Sequence, residues 1–163
     1  MHHDSSLPAK IYLKPGELVT TEETLLVTTV LGSCISVTMF HRESQVAAIC
    51  HGMLPSSEKE YSFKYVDTSM RYMMKYFDWW KIPRAEIQVK LFGGAEMFSA
   101  TQPGVRNLTV GWQNISAARR CLLEYGLVLI ASDVGGRMGR KLIFKTDTGI
   151  VYIKKLSDRD RLP

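Results

Sequence analysis

The order of strand-like and helix-like segments is the feature that most limits what this chain can fold into. Apolar or β-branched runs bounded by turn residues predict strands, and only two segments have the apolar spacing of a helix. Successive strands come before the first helix and again at the end, which a regular βαβ alternation would not produce. We therefore predict an α+β layered sandwich with mixed, largely antiparallel sheets. The predicted strands are Thr24–Leu31, Ile35–Phe40, Gln45–Cys50, Glu86–Phe92, Leu127–Ser132, Lys141–Lys145 and Gly149–Lys154.

The two helical segments have recognisable ends. The first is predicted to begin near Thr68, with Asp67 as its N-cap, and to end before Pro83. The second runs over 113–125 and ends at Gly126, which can adopt the left-handed conformation of a C-terminal cap. A stripe of large apolar residues in the first helix predicts a core face and not a cofactor site. This stripe comprises Met70, Met73, Met74 and Phe77.

Length and charge limit the organisation and the partners. The chain has 163 residues, 45% hydrophobic and 23% charged, which is enough for one globular core. We predict a single domain over 1–163, with a flexible N-terminal tail at 1–9 and a C-terminal tail at 157–163. Lys and Arg number 21 against 16 Asp and Glu, but the excess does not form a stripe interleaved with aromatic residues. This disfavours nucleic acid as a partner and favours a basic face toward solvent or an acidic protein.

The apolar runs and cysteines indicate the compartment. No run is long enough to span a membrane, and the N-terminus lacks the pattern of a secretory signal. Three cysteines without a CxxC motif favour free thiols and a cytoplasmic protein. We predict no metal, because the Cys and His residues lack the paired spacings of a zinc site. We also predict no cofactor: the doublets at 93–94 and 135–136 lack nucleotide-binding spacing and are expected to form tight turns or close backbone approaches.

A glycine–serine break directly before a cysteine is the first candidate for chemistry. Gly32 and Ser33 interrupt two strand-like runs, so Cys34 is presented at a strand edge. The break also leaves backbone N–H groups near Ser33 and Cys34 without ladder partners. A thiol beside such donors can serve as a nucleophile with an oxyanion hole. The alternative is a cysteine that only fills space in the core.

His51 is the histidine best placed to act on this thiol. It follows a predicted strand and opens a long loop, and a predicted turn at 41–44 folds its strand back toward Cys34. Cys50 is expected to face the core, because consecutive side chains of a strand point to opposite faces. Cys121 is expected to pack inward from the second helix. The residues therefore favour a Cys34–His51 pair without fixing its register.

Short motifs occur in a defined order along nearly the whole chain. They are Leu31-Gly32-Ser33-Cys34, His51-x-Met53-Leu54-Pro55, Lys64-Tyr65-x-Asp67, Lys90-x-Phe92-Gly93-Gly94-Ala95-x-Met97, Val110-Gly111-x-x-Asn114, Asp133-x-Gly135-Gly136, Gly139-Arg140-Lys141, Thr148-Gly149 and Lys155-Leu156. Each motif is weak alone, but the ordered set is specific. It resembles the CheD family, the chemoreceptor glutamine deamidases of bacterial and archaeal chemotaxis. One departure is Gln113, where the family often carries Arg.

The resemblance implies a Cys–His–Thr triad on a layered sandwich similar to the catalytic domain of cytotoxic necrotising factor toxins. Cys34 matches the nucleophile, His51 the base and Thr28 the third member. Thr29 would then point to the opposite face of a regular strand. Gly32 and Ser33 are expected to line the oxyanion region. The expected substrate rim consists of Met53, Leu54 and Pro55.

The resemblance also implies an activity and partners. A CheD-like protein would convert glutamine side chains of methyl-accepting chemotaxis receptors to glutamate through a thioester, with release of ammonia. A second hypothesis is an adaptor that binds CheC and stimulates its phosphatase activity on phosphorylated CheY. A third, a thiol hydrolase acting on small amides, is ranked last because nothing in the sequence indicates a closed small-molecule pocket.

Overall fold

A computed structural model describes residues 6–96 and 109–160. Over these residues the chain forms nine strands and two α-helices, with short 3-10 helices at Arg84–Glu86 and Asp158–Asp160. The α+β prediction is confirmed. The elements in chain order are β1 (Ala9–Tyr12), β2 (Leu18–Thr21), β3 (Leu25–Leu31), β4 (Ile35–Phe40), β5 (Ala47–Cys50), α1 (Val66–Trp79), β6 (Gln88–Gly93), α2 (Val110–Tyr125), β7 (Leu129–Val134), β8 (Arg140–Lys145) and β9 (Val151–Lys155).

The strands form two sheets with separate apolar cores on either side of the larger one. The smaller sheet has the order β1-β3-β8-β9, and the larger has the order β2-β5-β4-β6-β7. Strand pairs are antiparallel except β1–β3 and β6–β7. Both helices pack on one face of the larger sheet, and the smaller sheet packs on the other. No helix of the described ranges is long and apolar enough to cross a membrane.

The β4–β5 hairpin lies at the centre of this arrangement and is buried on both faces. On β4, Ile35, Val37 and Met39 pack toward the helices, whereas Phe40 packs toward the smaller sheet. Alternation continues on β5, where Ile49 faces the smaller sheet. The hairpin therefore sets which side chains enter the space between the sheets.

The first two strands were missed by the sequence analysis. β1 and β2 are four-residue strands at the edges of their sheets, and neither shows a clear alternation of buried and exposed residues. Such short segments gain their hydrogen bonds only from a distant partner strand. Ala9, assigned above to a flexible tail, is the first residue of β1, and 158–160 form a 3-10 helix. Residues 1–5 and 161–163 lie outside the described ranges.

Both helices begin earlier than predicted. Helix α1 starts at Val66 after Tyr65, so Asp67 is not its N-cap; the Asp67 carboxylate instead accepts from the N–H of Thr68 at 2.7 Å. Helix α2 starts at Val110, and its cap Thr109 accepts from the N–H of Trp112 at 3.2 Å. The predicted end of α2 is confirmed, because Gly126, which follows its last residue, has a φ of +67°.

A buried arginine joins the two sheets. Arg140 on β8 is 2% exposed, and its Nε and Nη2 donate to Oδ1 of Asp133 on β7 at 3.0 and 2.9 Å. Its Nη2 also donates to the carbonyl of Gly135 at 2.8 Å. The paired charge and these hydrogen bonds satisfy the guanidinium away from water. Two of the family-like motifs therefore meet in one structural contact.

Candidate active site

The site begins where the chain passes from one sheet to the other. Leu31 ends β3 in the smaller sheet, and Ile35 begins β4 in the larger one. The three residues between them make this crossing without belonging to either strand. Cys34 is half-buried and packs at the border of the core between the sheets. The break predicted from the sequence thus places a partly exposed thiol where the two sheets diverge.

Main-chain donors from the end of β6 hold two carbonyl groups of this crossing. The N–H of Ala95 donates to Gly32 O at 2.9 Å, and the N–H of Gly94 donates to Cys34 O at 2.8 Å. Gly93 is required here, because its φ is +100° and a Cβ would lie 2.3 Å from Cys34 O. The close approach predicted for the 93–94 doublet is therefore confirmed.

A side chain holds the carbonyl between these two. Asn114 of α2 is fully buried, and its Nδ2 donates to Ser33 O and to Met53 O, both at 3.0 Å. Its Oδ1 is buried without a hydrogen-bond partner among the described residues. An unpaired buried acceptor costs about 1–3 kcal/mol. Asn114 thus joins the segment of Cys34 to the segment that follows His51.

Fixing these carbonyls also directs the N–H groups of the crossing. In a trans peptide the N–H points opposite to the preceding C=O. With Gly32 O and Ser33 O bonded to the scaffold, the N–H groups of Ser33 and Cys34 point away from those donors. Within the described ranges, neither donates to the backbone of another residue. Donors in this position can bind an oxyanion that forms beside Cys34.

The register of the central hairpin places Cys34 and His51 on the same face. Ile35 and Gly52 exchange both backbone hydrogen bonds, at 2.9 and 2.8 Å, which extends the β4–β5 register beyond β5. In this register Cys34 falls opposite Met53 and diagonal to His51. Diagonal neighbours are about 7–8 Å apart and within reach of long side chains. Both side chains point into the space between the sheets.

The hydrogen bonds of the His51 ring define its tautomer. Its Nδ1 lies 2.7 Å from Thr29 Oγ1, and this hydroxyl donates its single proton to Leu13 O, also at 2.7 Å. Thr29 must therefore accept from an Nδ1–H group. The proton on Nδ1 leaves a lone pair on Nε2, which is buried without a partner among the described residues. His51 is held as a neutral imidazole with its basic nitrogen available.

The prediction of Thr28 as the partner of His51 is wrong. On β3 the buried positions are Leu25, Val27, Thr29 and Leu31, so Thr29 points between the sheets. Thr28 belongs to the alternate set and points to the outer face of the smaller sheet. The neighbouring threonine therefore occupies the position that the sequence analysis gave to Thr28.

Comparison with known proteins identifies the family. The family profile described as CheD chemotactic sensory transduction matches residues 53–155. The chain belongs to the CheD family. It is 48% identical over 149 residues to a probable chemoreceptor glutamine deamidase CheD 2 of Geobacter sulfurreducens, with 90% of each chain covered. It is 38% identical over 162 residues to a probable chemoreceptor glutamine deamidase CheD of Oleidesulfovibrio alaskensis, with 95% of this chain and 76% of the relative covered.

A more distant relative is also named a chemoreceptor glutamine deamidase. The chain is 36% identical over 151 residues to a probable chemoreceptor glutamine deamidase CheD of Thermococcus kodakarensis, covering 88% of this chain and 91% of the relative. This CheD chain is therefore similar over most of its length to both bacterial and archaeal members. One residue of the motif set, Met97, lies outside the described ranges.

Burial shifts the pKa values of the two central groups in opposite directions. It lowers the pKa of His51, although the Leu13 carbonyl and the charge of Glu17 act against this shift. Burial raises the pKa of the Cys34 thiol, with partial compensation from its own backbone N–H. At neutral pH the site therefore holds a thiol and a neutral imidazole, and the proton must move during the reaction.

The other two cysteines of this CheD chain face the core, as predicted. Cys50 is fully buried on the helix side of the larger sheet, where burial raises the pKa of its thiol to about 12. Cys121 is 4% exposed in the same core, and burial raises its pKa to about 11. All three cysteines are free. Only Cys34 combines partial exposure with a place beside His51.

The predicted substrate rim lies beside the thiol. Met53 and Leu54 are 37% and 39% exposed, and Pro55 is half-buried. The N–H groups of Met53 and Leu54 both donate to Lys64 O, at 2.7 and 3.0 Å. The carbonyl of Leu54 accepts from the first residue of α1, Val66, at 2.9 Å. These bonds hold an apolar edge next to Cys34; its role as a rim stays a prediction.

A second group of polar side chains lies at the opposite end of the central hairpin. His41, Glu43 and Glu86 have possible metal-ligating atoms within 4.8 Å of one another. Both ring nitrogens of His41 are engaged, Nδ1 with Ser44 Oγ at 2.7 Å and Nε2 with Glu86 Oε2 at 2.9 Å. A hydrogen-bonded His–Glu pair accounts for this arrangement, and the group is about 20 Å from Cys34, the length of a six-residue strand.

Sequence reasoning missed two residues of the site. Thr29 was set aside in favour of its neighbour, and Asn114 was noted only within a motif. A signal for Thr29 exists in β3, where it shares its phase with Leu25, Val27 and Leu31. No comparable signal exists for Asn114, because its partner Ser33 is 81 residues away in the sequence.

Proposed function

We propose that this CheD protein deamidates glutamine side chains of methyl-accepting chemotaxis receptors. The names of its relatives support the reaction and the substrate class. The observation that carries the proposal is the His51 ring, oriented by Thr29 through Nδ1 and basic at Nε2, on the same face as Cys34. A thiol and an imidazole in this relation are the groups that amide hydrolysis through a thioester requires.

The first half of the reaction forms the thioester. The Cys34 proton passes to His51 Nε2 as the sulfur attacks the amide carbon, and the electron pair of the C=O bond moves to oxygen. The N–H of Cys34, with that of Ser33, stabilises this oxyanion. The imidazolium then protonates the amide nitrogen, the C–N bond breaks and ammonia leaves.

The second half releases the product. A water molecule gives a proton to His51 Nε2 as its oxygen attacks the thioester carbon. The C–S bond breaks, and the departing sulfur recovers a proton from the imidazolium. The side chain leaves as glutamic acid, which gives its proton to water to become glutamate, and the free thiol and neutral imidazole are restored. No group outside the chain, the substrate and water is needed.

Thr29 acts in both halves as a positioning residue. Its hydroxyl is fixed by the Leu13 carbonyl, so the acceptor facing His51 Nδ1 cannot turn away. The same contact stabilises the imidazolium that forms in each half. The negative charge of Glu17 adds a favourable interaction with the protonated ring.

The surroundings of Cys34 suit a side chain presented on a protein. His51 is 1% exposed, so the carboxamide must reach the thiol first, at the edge beside Met53 and Leu54. The formal charge of +5 suits a receptor surface with acidic groups. We place the reaction in the cytoplasm, where the free thiols are kept reduced.

The test is to incubate the purified protein with a chemoreceptor cytoplasmic domain and measure conversion of glutamine to glutamate by mass spectrometry. We expect Cys34→Ala to abolish conversion, whereas Cys50→Ala and Cys121→Ser retain it. Full activity of the Cys34→Ala protein would exclude Cys34 as the nucleophile. Free glutamine is tested in parallel, and its turnover at the rate of the receptor would favour a general thiol hydrolase.

The second candidate function is an adaptor for CheC. The half-exposed apolar residues Met53 and Leu54 beside Cys34 favour it, because a partner could dock on the edge that a substrate would use. Binding of CheC would then stimulate its phosphatase activity on phosphorylated CheY. Alkylation of Cys34 tests whether the two functions share this edge: loss of both deamidation and CheC binding supports a shared edge, and loss of deamidation alone excludes it.

A further inference from the structure

We propose that Asn114 is a positioning residue that directs the N–H of Cys34 toward the oxyanion. This inference rests on the proposed function and assigns to Asn114 a part in it. Asn114 does not contact the reacting atoms. It acts through two main-chain carbonyl groups.

The orientation of the Asn114 amide is determined by its partners. Ser33 O and Met53 O both lie 3.0 Å from the same side-chain atom, and both are acceptors that require a donor. That atom must therefore be Nδ2, and both of its protons are used. The opposite assignment would place Oδ1 against two carbonyl oxygens.

The bond to Ser33 O controls the group that faces the substrate. Ser33 C=O and Cys34 N–H belong to one planar peptide, so holding the carbonyl sets the direction of the N–H. The carbonyls on either side are held by backbone donors of Ala95 and Gly94. Of the three groups that donate to these carbonyls, only the one from Asn114 belongs to a side chain. A substitution of Asn114 can therefore loosen the Ser33–Cys34 peptide without altering the main-chain bonds.

The bond to Met53 O links the same amide to the other half of the site. Met53 lies opposite Cys34 in the register and two residues beyond His51. A single amide therefore bridges the strand of the nucleophile and the strand of the base. Among the described residues the buried Oδ1 has no partner, and this supports a functional origin for the placement, because buried polar groups without partners are uncommon and require an explanation.

Close packing brings helix α2 to the place where Asn114 can make both bonds. A Cβ on Gly111 would lie 2.5 Å from Gly94 O and 2.7 Å from Ala95 O. The first turn of α2 therefore contacts the turn at 94–95, whose N–H groups donate to the carbonyls of Gly32 and Cys34. Asn114 follows nearly one helical turn later, on the side of the crossing.

Direction of the N–H can be separated experimentally from general integrity of the site. Deamidation develops an oxyanion and needs a directed N–H, whereas alkylation of a thiol by iodoacetamide is a displacement at a saturated carbon and develops none. Loss of the Asn114 donors should therefore slow deamidation and spare alkylation. A structural role alone would affect both reactions through loss of the folded site.

The experiment compares wild type, Asn114→Ala and Asn114→Asp on a receptor cytoplasmic domain, with Cys121→Ala as a control for a core defect outside the site. We expect kcat to fall by up to about 10²-fold in both Asn114 variants, the lower end of the range for loss of an oxyanion donor, because the N–H is kept but loses its direction. KM and the rate of Cys34 alkylation should change by less than about threefold, and the pH dependence of alkylation should stay the same. Asn114→Asp keeps the side-chain volume, so it tests the donors even if Asn114→Ala fails to fold.

Two results would overturn the proposal. Deamidation within threefold of wild type in Asn114→Asp would show that the donors are not needed, and a parallel fall in alkylation and kcat would show a structural role. Failure of the wild type itself to deamidate the receptor would instead overturn the proposed function. The wild-type assay thus distinguishes the two failures.

Discussion

Two buried histidines lie at opposite ends of the β4–β5 hairpin, and their ring nitrogens are used differently. His41 is 8% exposed and His51 is 1% exposed. Both nitrogens of His41 are bonded, to Ser44 and Glu86, whereas among the described residues the His51 ring has a partner at Nδ1 alone, Thr29. Burial and hydrogen bonding are therefore common to both ends. The difference is the lone pair left on His51 Nε2, on the face that carries a thiol.

The comparison shows what separates a structural histidine from a candidate base. The backbone N–H of His41 donates to Val46 O at 2.9 Å, so this residue closes the hairpin while its ring is saturated by partners. The backbone of His51 is bonded to the loop after β1, through Gly16 and Glu17, and its ring points between the sheets. A buried histidine whose two ring nitrogens both have partners is thus a weaker candidate for a general base than one whose ring is oriented through one nitrogen and has a lone pair on the other.

The largest expected effect comes from replacing each histidine in turn. We expect His51→Gln to lower kcat/KM for receptor deamidation by about 10³-fold, within the range for loss of a general acid–base group. His41→Gln should keep kcat/KM within about threefold, because its ring is far from the thiol. The measurement is steady-state deamidation of the receptor domain. Equal losses in the two variants would show that the hairpin's integrity, and not the His51 nitrogen, determines activity.

A smaller effect should separate the two adjacent threonines. Thr29→Val removes the acceptor that orients His51 while keeping the side-chain shape, and we expect kcat to fall about tenfold, the equivalent of one hydrogen bond of about 1.4 kcal/mol. Thr28→Val should leave kcat within about twofold, because Thr28 faces away from the site. The same deamidation assay measures both. A larger loss in Thr28→Val than in Thr29→Val would show that Thr28, and not Thr29, orients His51.

These threonines also show why part of the site could be predicted and part could not. Cys34 follows a Gly-Ser break and His51 follows the end of a predicted strand, and both signals can be read from the sequence. The choice between Thr28 and Thr29 depends on which phase of β3 faces inward, and both phases contain apolar residues: Leu25, Val27 and Leu31 in one, Leu26 and Val30 in the other. Only pairing with the distant strand β8 and packing against the larger sheet decide between them.

The fold was predictable to a similar depth. Strands such as β3 and β4 are long and apolar enough to be predicted from the sequence. The hairpin between β4 and β5 is predicted from the turn residues that separate these strands. The loop after β1 was not predicted, although Leu13 from this loop accepts the hydrogen bond that fixes Thr29. Its contribution depends on a carbonyl group, which every residue has and which no residue type reveals.

The smallest expected effect is a pH dependence of stability that belongs to His51. Because burial lowers its pKa, the folded protein binds a proton on His51 less readily than the unfolded chain does. The unfolded chain therefore gains protons first as pH falls below about 6.5, and the free energy of unfolding decreases over that interval. His51→Gln removes this contribution. Between pH 7 and pH 5 the wild type should therefore lose more unfolding free energy than the variant does. Urea unfolding across that interval measures the difference. A shift in the opposite direction would mean that the folded state favours the charged ring, as expected for a preformed thiolate–imidazolium pair and not for the neutral pair that this geometry supports.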